Sequence, residues 1–165
     1  GFLVRQYQTM AFRTAMSIVK NESDAQDVVQ SSFIQAYQSL HTFRKEAKFS
    51  TWFSRIIINK SFRFIQKKSR KKERTQAEAF DDSPTTYNEG LLNLNQQDLA
   101  NLLKEGLKQL APKETLCLQL FYLEEYHIDE IEAITEFSKS HIKVLLHRGR
   151  KNLYNQLIDS YERTK

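Results

Sequence analysis

The chain is short of the residues that usually punctuate or staple a fold. Among 165 residues there are four glycines, two prolines and one cysteine. Scarce glycine and proline disfavour architectures built from many strands and tight turns, and favour helices. A lone Cys117 excludes an internal disulfide, and a reducing cytoplasmic setting is expected. Its place in the apolar run 116–123 reads as a small buried hydrophobe rather than a redox sensor. No apolar stretch approaches the ~18 residues a membrane-spanning helix needs, and there is no signal-peptide pattern, so no membrane insertion is expected. Glycine-rich phosphate loops, Ser-His-Asp sets and carboxylate clusters suited to Mg²⁺ are all missing. His127, His141 and His147 lack a cysteine or acid at ligand spacing. Neither enzymatic activity nor a metal or other cofactor is therefore expected.

Cations are abundant and unevenly spread. The net charge is +5, yet residues 75–98 hold no Lys or Arg against five acids, Glu78, Asp81, Asp82, Glu89 and Asp98. Residues 41–74 hold twelve Lys or Arg against Glu46 and Glu73, and interleave Phe43, Phe49, Trp52, Phe53, Phe62 and Phe64. Cations alone would suit a solvated face. Cations between flat apolar rings suit a surface that follows a phosphate backbone and stacks on unpaired bases.

Periodicity predicts helices in both halves. Tyr7, Met10, Ala11, Thr14, Ala15 and Ile18 recur at helical spacing and mark one buried face. Ser23 with Gln26 predicts a capping box, with Asp24 and Asp27 near the positive helix end. The helix that follows is expected to bury Val29, Phe33, Tyr37 and Leu40. A loop over 41–49 precedes a third helix from about Ser50, through Trp52, Ile56, Ile57 and Phe64, into the basic run 67–72. From about Lys68 to Gln96 turn chemistry without periodicity predicts a linker, and a connection this long argues for two domains. Leu99, Leu102, Leu103, Leu107 and Leu110 predict a helix that stops at Ala111-Pro112, and Pro112 fits the first turn of a helix to about Leu123. A short helix over 128–135, a polar turn and a last helix from near Ser140 complete a helix-turn-helix pattern. Its second helix buries Ile142, Leu145, Leu146 and Leu153 and shows Lys139, Lys143, Arg150 and Lys151 on the other side. In that motif the second helix enters the major groove.

Two sequence blocks narrow the reading further. Asp24-Ala-Gln-Asp-Val-Val-Gln-Ser-Ser-Phe, then Phe43, then Phe49-Ser-Thr-Trp-Phe-Ser-Arg-Ile-Ile-Ile-Asn59 resembles region 2 of bacterial RNA polymerase sigma factors, in particular the extracytoplasmic-function subfamily. Leu107-Lys-Gln-Leu-Ala-Pro, Glu130-Ile, Ser138-Lys-Ser-His-Ile-Lys and His147-Arg-Gly-Arg resemble their region 4. The resemblance covers roughly residues 7–70 and 99–157, in the family's order. It implies an all-α fold of two small helical domains: region 2 over 1–72, an acidic linker over 73–97 and region 4 over 98–165.

The resemblance also implies partners and roles. These are core RNA polymerase, promoter DNA both duplex and single-stranded, and an anti-sigma factor. Asp24, Asp27, Gln30 and Gln35 would meet the polymerase clamp, though Asp24 and Asp27 also suit a helix start. The loop 41–50 would hold a base flipped out of the minus-10 nontemplate strand, a task that suits Phe43, Lys48, Phe49 and Ser50. Thr51, Trp52, Arg55, Asn59, Lys60 and Arg63 extend that surface, Trp52 chiefly by packing. Ser138, Lys139, Ser140, His141 and Lys143 would read the minus-35 duplex, with Arg148 and Arg150 on phosphates. The linker would thread toward the RNA exit channel.

Departures from the family stand at Glu125 and Glu136, where relatives often carry Gly, and at Glu132, where they carry a small residue. Leu145 replaces a commonly basic position, and His127 a Ser-type cap. Two other readings stay open: a helix-turn-helix regulator acting on duplex DNA only, and a sigma-like protein that acts through a regulator partner.

Overall fold

The computed structural model describes residues 1–75 and 96–163. Among them are seven α-helices and no strand: α1 Phe2–Val19, α2 Glu22–Gln38, α3 Phe49–Thr75, α4 Gln96–Lys108, α5 Pro112–Leu118, α6 Ile128–Thr135 and α7 Lys139–Arg163. A 3-10 turn, Leu40–Thr42, follows α2, and a π-helical turn, Gln119–Leu123, follows α5. The acidic segment expected to be the linker lies mostly outside the described residues.

Helices α1, α2 and α3 pack mutually into a bundle. Its core sets Ala11, Ala15, Ala25 and Ala36 around the fully buried Phe53, with Val28, Ile56 and Ile57. Alanines let helix backbones approach closely, so one phenyl ring fills the space left between three axes. Small hydroxyl residues are buried in the same layer without orphaned polar groups. Ser32 donates to the Val28 carbonyl at 2.7 Å and Ser61 to the Ile57 carbonyl at 2.8 Å, each one turn back along its own helix.

Local geometry corrects three expectations. The cap of α2 is Asn21, not Ser23: its side chain accepts the Asp24 N–H at 3.0 Å, which starts the helix two residues early. Tyr37 is 83% exposed and Leu40 42%, so the buried stripe of α2 is Ala25, Val28, Ser32 and Ala36, flanked by Val29 and Phe33. Helix α3 runs past Lys68 to Thr75, because the Lys/Arg run is itself a good helix former.

The second unit, α4 to α7, is built on larger aliphatics. Leu110, Leu116, Leu118, Leu120, Ile131, Ile134, Ile142, Leu145 and Leu146 are buried together with Cys117, whose thiol burial pushes up to about 12. Cys117 is thus the inert hydrophobe expected, and Leu145 is a core residue rather than a surface contact. α5 crosses α7 closely at Gly149, where a Cβ would stand 3.0 Å from Leu118 Cδ1. The buried Glu114 carboxylate accepts from Asn152 Nδ2 at 3.2 and 3.3 Å.

The two units share one apolar seam. Ile18 of α1 and Ile58 of α3, 1% and 3% exposed, are buried in the cluster of the second unit, and Phe62 and Ile65 pack against it. α1 lies on α5 and the π-helical turn, and α3 lies on α6. Polar contacts rim the seam. Lys20 Nζ donates to the Lys108 carbonyl at 3.2 Å, and Arg13 pairs with Glu124 at 3.8 Å. Burial pulls the Lys20 ammonium down to about 8, against the opposing field of Glu114.

Both glutamates at expected glycine positions are left-handed, Glu125 at φ 55° and Glu136 at φ 64°. Glu136 ends α6, its N–H bonded to the Glu132 carbonyl at 2.8 Å. An L side chain in that conformation costs ~1–2 kcal/mol, partly offset by the greater chain entropy glycine loses on folding. Glu136→Gly is therefore expected to stabilise the protein by ~0.5–1 kcal/mol and raise its Tm by about 1–4 °C. Thermal unfolding followed by circular dichroism checks this, and an unchanged or lower Tm would show that the turn holds no strain.

Candidate nucleic-acid interface

The 3-10 turn closes on Phe43, whose N–H bonds the Leu40 carbonyl at 3.1 Å, and this swings the chain back across the start of α3. Lys45, left-handed at φ 58°, sharpens the loop. The result is a concavity of about 190 Å³ lined by Phe43, Arg44, Lys45, Thr51, Trp52 and Arg55, among others. Rings form one wall: Phe43 lies 5.4 Å from Trp52 and 5.7 Å, edge-on, from Phe49. Arg44, Lys45 and Arg55, with Glu46 among them, complete the lining. An aromatic wall beside fixed positive charge can stack a base while meeting its phosphate.

The expected minus-10 residues are not equivalent within this site. Phe49 is 5.1 Å from Tyr7 and 5.8 Å from Phe53, so it is half-buried and ties the loop to the bundle core. Trp52 faces both ways, against Phe43 and against the core cluster. Arg55, Asn59 and Arg63 are exposed at three- and four-residue spacing and follow Trp52 along one side of α3. Lys60 is half-buried and turned about 100° from Asn59. Three members of the set face the second unit. Arg55 Nε donates to the Ala133 carbonyl at 2.6 Å, Lys48 lies 4.0 Å from Glu130, and Ser50 stands by the Tyr126 phenol. Burial raises the Tyr126 pKa; the Ser50 side chain opposes this, and Glu124 and Glu130 add to it.

On the second unit, α6 opens at His127, whose N–H donates to Glu130 Oε2 at 2.9 Å. Ser138 caps α7: its hydroxyl accepts the His141 N–H at 3.2 Å and lies 3.3 Å from the Ser140 hydroxyl. His141 stacks on Phe137 at 5.4 Å, and Lys113 Nζ sits 5.2 Å from the same ring. Lys139 is held from below by α6, 2.9 Å from Asp129 and 3.9 Å from Glu132. Their mutual hydrogen bond raises the Lys139 pKa and lowers that of Asp129. Glu132 is thus part of that grip. Arg150 donates to the Tyr122 hydroxyl at 3.1 Å. Ser140, Lys143 and Arg148 are exposed on the helix. Among the described residues no group of His, Cys, Asp or Glu could hold a metal ion, and no helix is long and apolar enough to cross a membrane.

On α2, Asp24 is drawn toward α3 by Lys68 at 2.6 Å, whereas Asp27, Gln30 and Gln35 are exposed. Two features escaped the sequence reading. Ile34, 54% exposed, and Tyr37 stand outward beside Asp27 and Gln30, a paired apolar and polar face of the kind that marks protein contacts. Val144, 44% exposed, sits one turn beyond Ser140 on the outer side of α7, hidden in the sequence by the apolar run it begins. The missed signal in both cases is an apolar residue out of phase with the buried stripe.

Known proteins share this arrangement. Sigma-70 region 2 matches residues 3–71, and Sigma-70, region 4 matches residues 100–153. The ECF RNA polymerase sigma factor SigW of Bacillus subtilis (strain 168) is 28% identical over 171 residues, covering 95% of this chain and 88% of that protein. The RNA polymerase sigma factor SigV of the same organism is 30% identical over 148 residues, covering 88% and 83%. Among solved structures, the sigma factor RpoE from Bartonella quintana, in complex with the anti-sigma factor NepR, superposes with a TM-score of 0.74 at 19% identity, covering 93% of each chain. With both regions in order and relatives matched along nearly their full length, the chain belongs to the extracytoplasmic-function sigma factors of bacterial RNA polymerase.

Proposed function

We propose that this sigma factor binds core RNA polymerase and brings it to promoters in two steps. Residues 98–165 read minus-35 duplex through the start of α7. Residues 1–72 then capture the minus-10 nontemplate strand in the concavity between the loop and α3. Chemistry belongs to the polymerase. The observation that carries the reading is the aromatic and cationic concavity, which a duplex-only regulator would not need. Stacking worth ~1–3 kcal/mol per base, returned there, offsets the few kcal/mol of extruding a base without ATP.

Within this reading the residues divide by task. Phe43, Thr51, Trp52 and Arg55 surround the captured base, Phe49 braces the loop, and Lys48, Ser50, Asn59, Lys60 and Arg63 meet flanking strand. Ser140, His141 and Lys143 face base edges, with Arg148 and Arg150 on phosphates. Val144 supplies an apolar contact suited to a thymine methyl. Ser138 and Lys139 set the helix start as much as they touch DNA. The outer face of α2, with Asp27, Gln30, Ile34, Tyr37 and Gln35, docks on polymerase. An anti-sigma factor is the expected regulator, since RpoE of B. quintana is captured with one.

Transcription reconstituted from core polymerase, this protein and promoter templates of its own genome should yield transcripts that start at defined positions. Their absence on every template would defeat the sigma reading. Phe43→Ala should reduce open-complex formation roughly 5- to 150-fold while duplex binding changes little, the counterpart of ~1–3 kcal/mol of stacking. Permanganate footprinting and gel shift measure the two, and equal losses would count against base capture. Lys143→Ala should weaken minus-35 duplex binding by a similar factor and leave melting of a pre-opened template intact. Unchanged promoter selection would remove Lys143 from the site.

A further inference from the structure

Helix α3 outruns the bundle it belongs to. Lys68 pairs at 2.6 Å with Asp24 in the first turn of α2, and α1 ends at Val19, just before α2 begins. The end of α3, which runs on to Thr75, therefore projects past both neighbours. Every residue over 66–72 is exposed, and five of these seven are Lys or Arg with no acid among them. A helix with no buried face gains nothing from packing. Arg63 and Lys67, Lys67 and Lys71, and Lys68 and Lys72 also set like charges one turn apart, which works against the helix. The packing of the bundle gives no reason for this projection.

The side of α3 that carries Arg55 changes character along its length. At the concavity, Phe43 and Trp52 stand beside Arg55. Farther on, Arg63, Lys67 and Arg70 share one exposed stripe at four- and three-residue spacing. Phe62 and Phe64 pack inward against the two cores, and residues 65–75 contain no ring. Aromatic platforms are what favour unpaired bases, whereas a ring-free row of cations meets only phosphates. Such a row suits a duplex, whose bases are already stacked on one another. Lys68 is engaged by Asp24, but among the described residues neither Lys67 nor Arg70 forms an ion pair.

We propose that the projecting end of α3 is a further duplex-binding site, in which Lys67 and Arg70 hold the sugar–phosphate backbone between the two promoter elements without reading sequence. These residues stand twelve and fifteen positions beyond Arg55, about 18 and 22 Å along the helix at 1.5 Å per residue. At 3.4 Å per base pair this lies about five to seven base pairs from the captured base. It lies toward the minus-35 element, because the chain leaving α3 leads to the unit that reads it. Anchored there, the first unit holds DNA that is still paired, before any base is extruded. The place on the promoter rests on the minus-10 reading above; the duplex grip does not.

Binding of the full chain to a short mixed-sequence duplex, followed by fluorescence anisotropy over a range of salt concentrations, tests the grip. Lys67→Gln and Arg70→Gln keep helix propensity. Each should reduce the slope of log affinity against log salt by about 0.9, the value of one phosphate contact on duplex. Lys104→Gln removes an equal charge from an exposed position on α4 and should leave the slope unchanged. Unchanged slopes for Lys67→Gln and Arg70→Gln overturn the proposal and leave an acidic protein surface as the occupant. An equal fall for Lys104→Gln overturns it too, since net charge alone would then be responsible. The corresponding single strand should bind wild type and both variants alike; a loss there as large as on duplex would make this a single-strand site and defeat the proposal. In complexes with core polymerase on promoter DNA, neutral methylphosphonates placed about five to seven base pairs from the captured base should weaken wild-type binding. They should leave the Lys67→Gln, Arg70→Gln double variant indifferent. Wild-type insensitivity at that spacing, or equal sensitivity of the variant, overturns the placement. Failure of promoter-dependent transcription would strike the minus-10 reading, while the mixed-sequence slopes still decide the grip.

Discussion

Ile18 and Ile58 belong by chain position to the first helical unit and by burial to the second. That double membership governs how the rest of the molecule behaves. Full burial of an isoleucine contributes ~1.5–3 kcal/mol, so these two alone supply about 3–6 kcal/mol to holding the units together.

The two units reach stability by different packing. The first fills its centre with Phe53 among alanines and self-satisfied serines, which fixes helix spacing tightly and leaves little room for adjustment. The second interdigitates leucine and isoleucine, with Gly106 and Gly149 each allowing a close helix approach. A rigid first unit suits a loop whose rings must be held in place, and Phe49 transmits that rigidity from Phe53 to Phe43.

Much of this was legible in the sequence, since periodicity and caps are local. The short helix over 128–135 and the proline-led start of α5 came through because their signals are strong and near in sequence. Ser23 misled because Asn21, two residues earlier, offers a better side-chain acceptor, and the two compete for one helix start. Tyr37 misled because aromatic residues are read as buried by default, whereas here the turn at Leu40 carries the chain away before it can be covered. The seam was invisible for a different reason. Ile18 and Ile58 satisfy their own helices' patterns, and nothing local says that the burying atoms come from the other half of the chain. The same holds at the site: the cations and rings were apparent, but not that Phe49 turns inward or that Arg55 is held by Ala133.

The ion pair of Lys139 with Asp129 and Glu132 has a consequence for how binding responds to salt. A lysine that meets a phosphate ordinarily frees a condensed cation from the DNA, and the entropy of that release makes affinity fall as salt rises. Lys139 brings two carboxylates that cannot diffuse away. Part of its charge is already neutralised at the surface, so under the proposed minus-35 reading its contact would add less than a full unit to the salt slope. The exposed pair is itself screened by salt, so the hold of α6 on the Lys139 ammonium loosens as ionic strength rises, and the start of α7 is most firmly ordered at low salt.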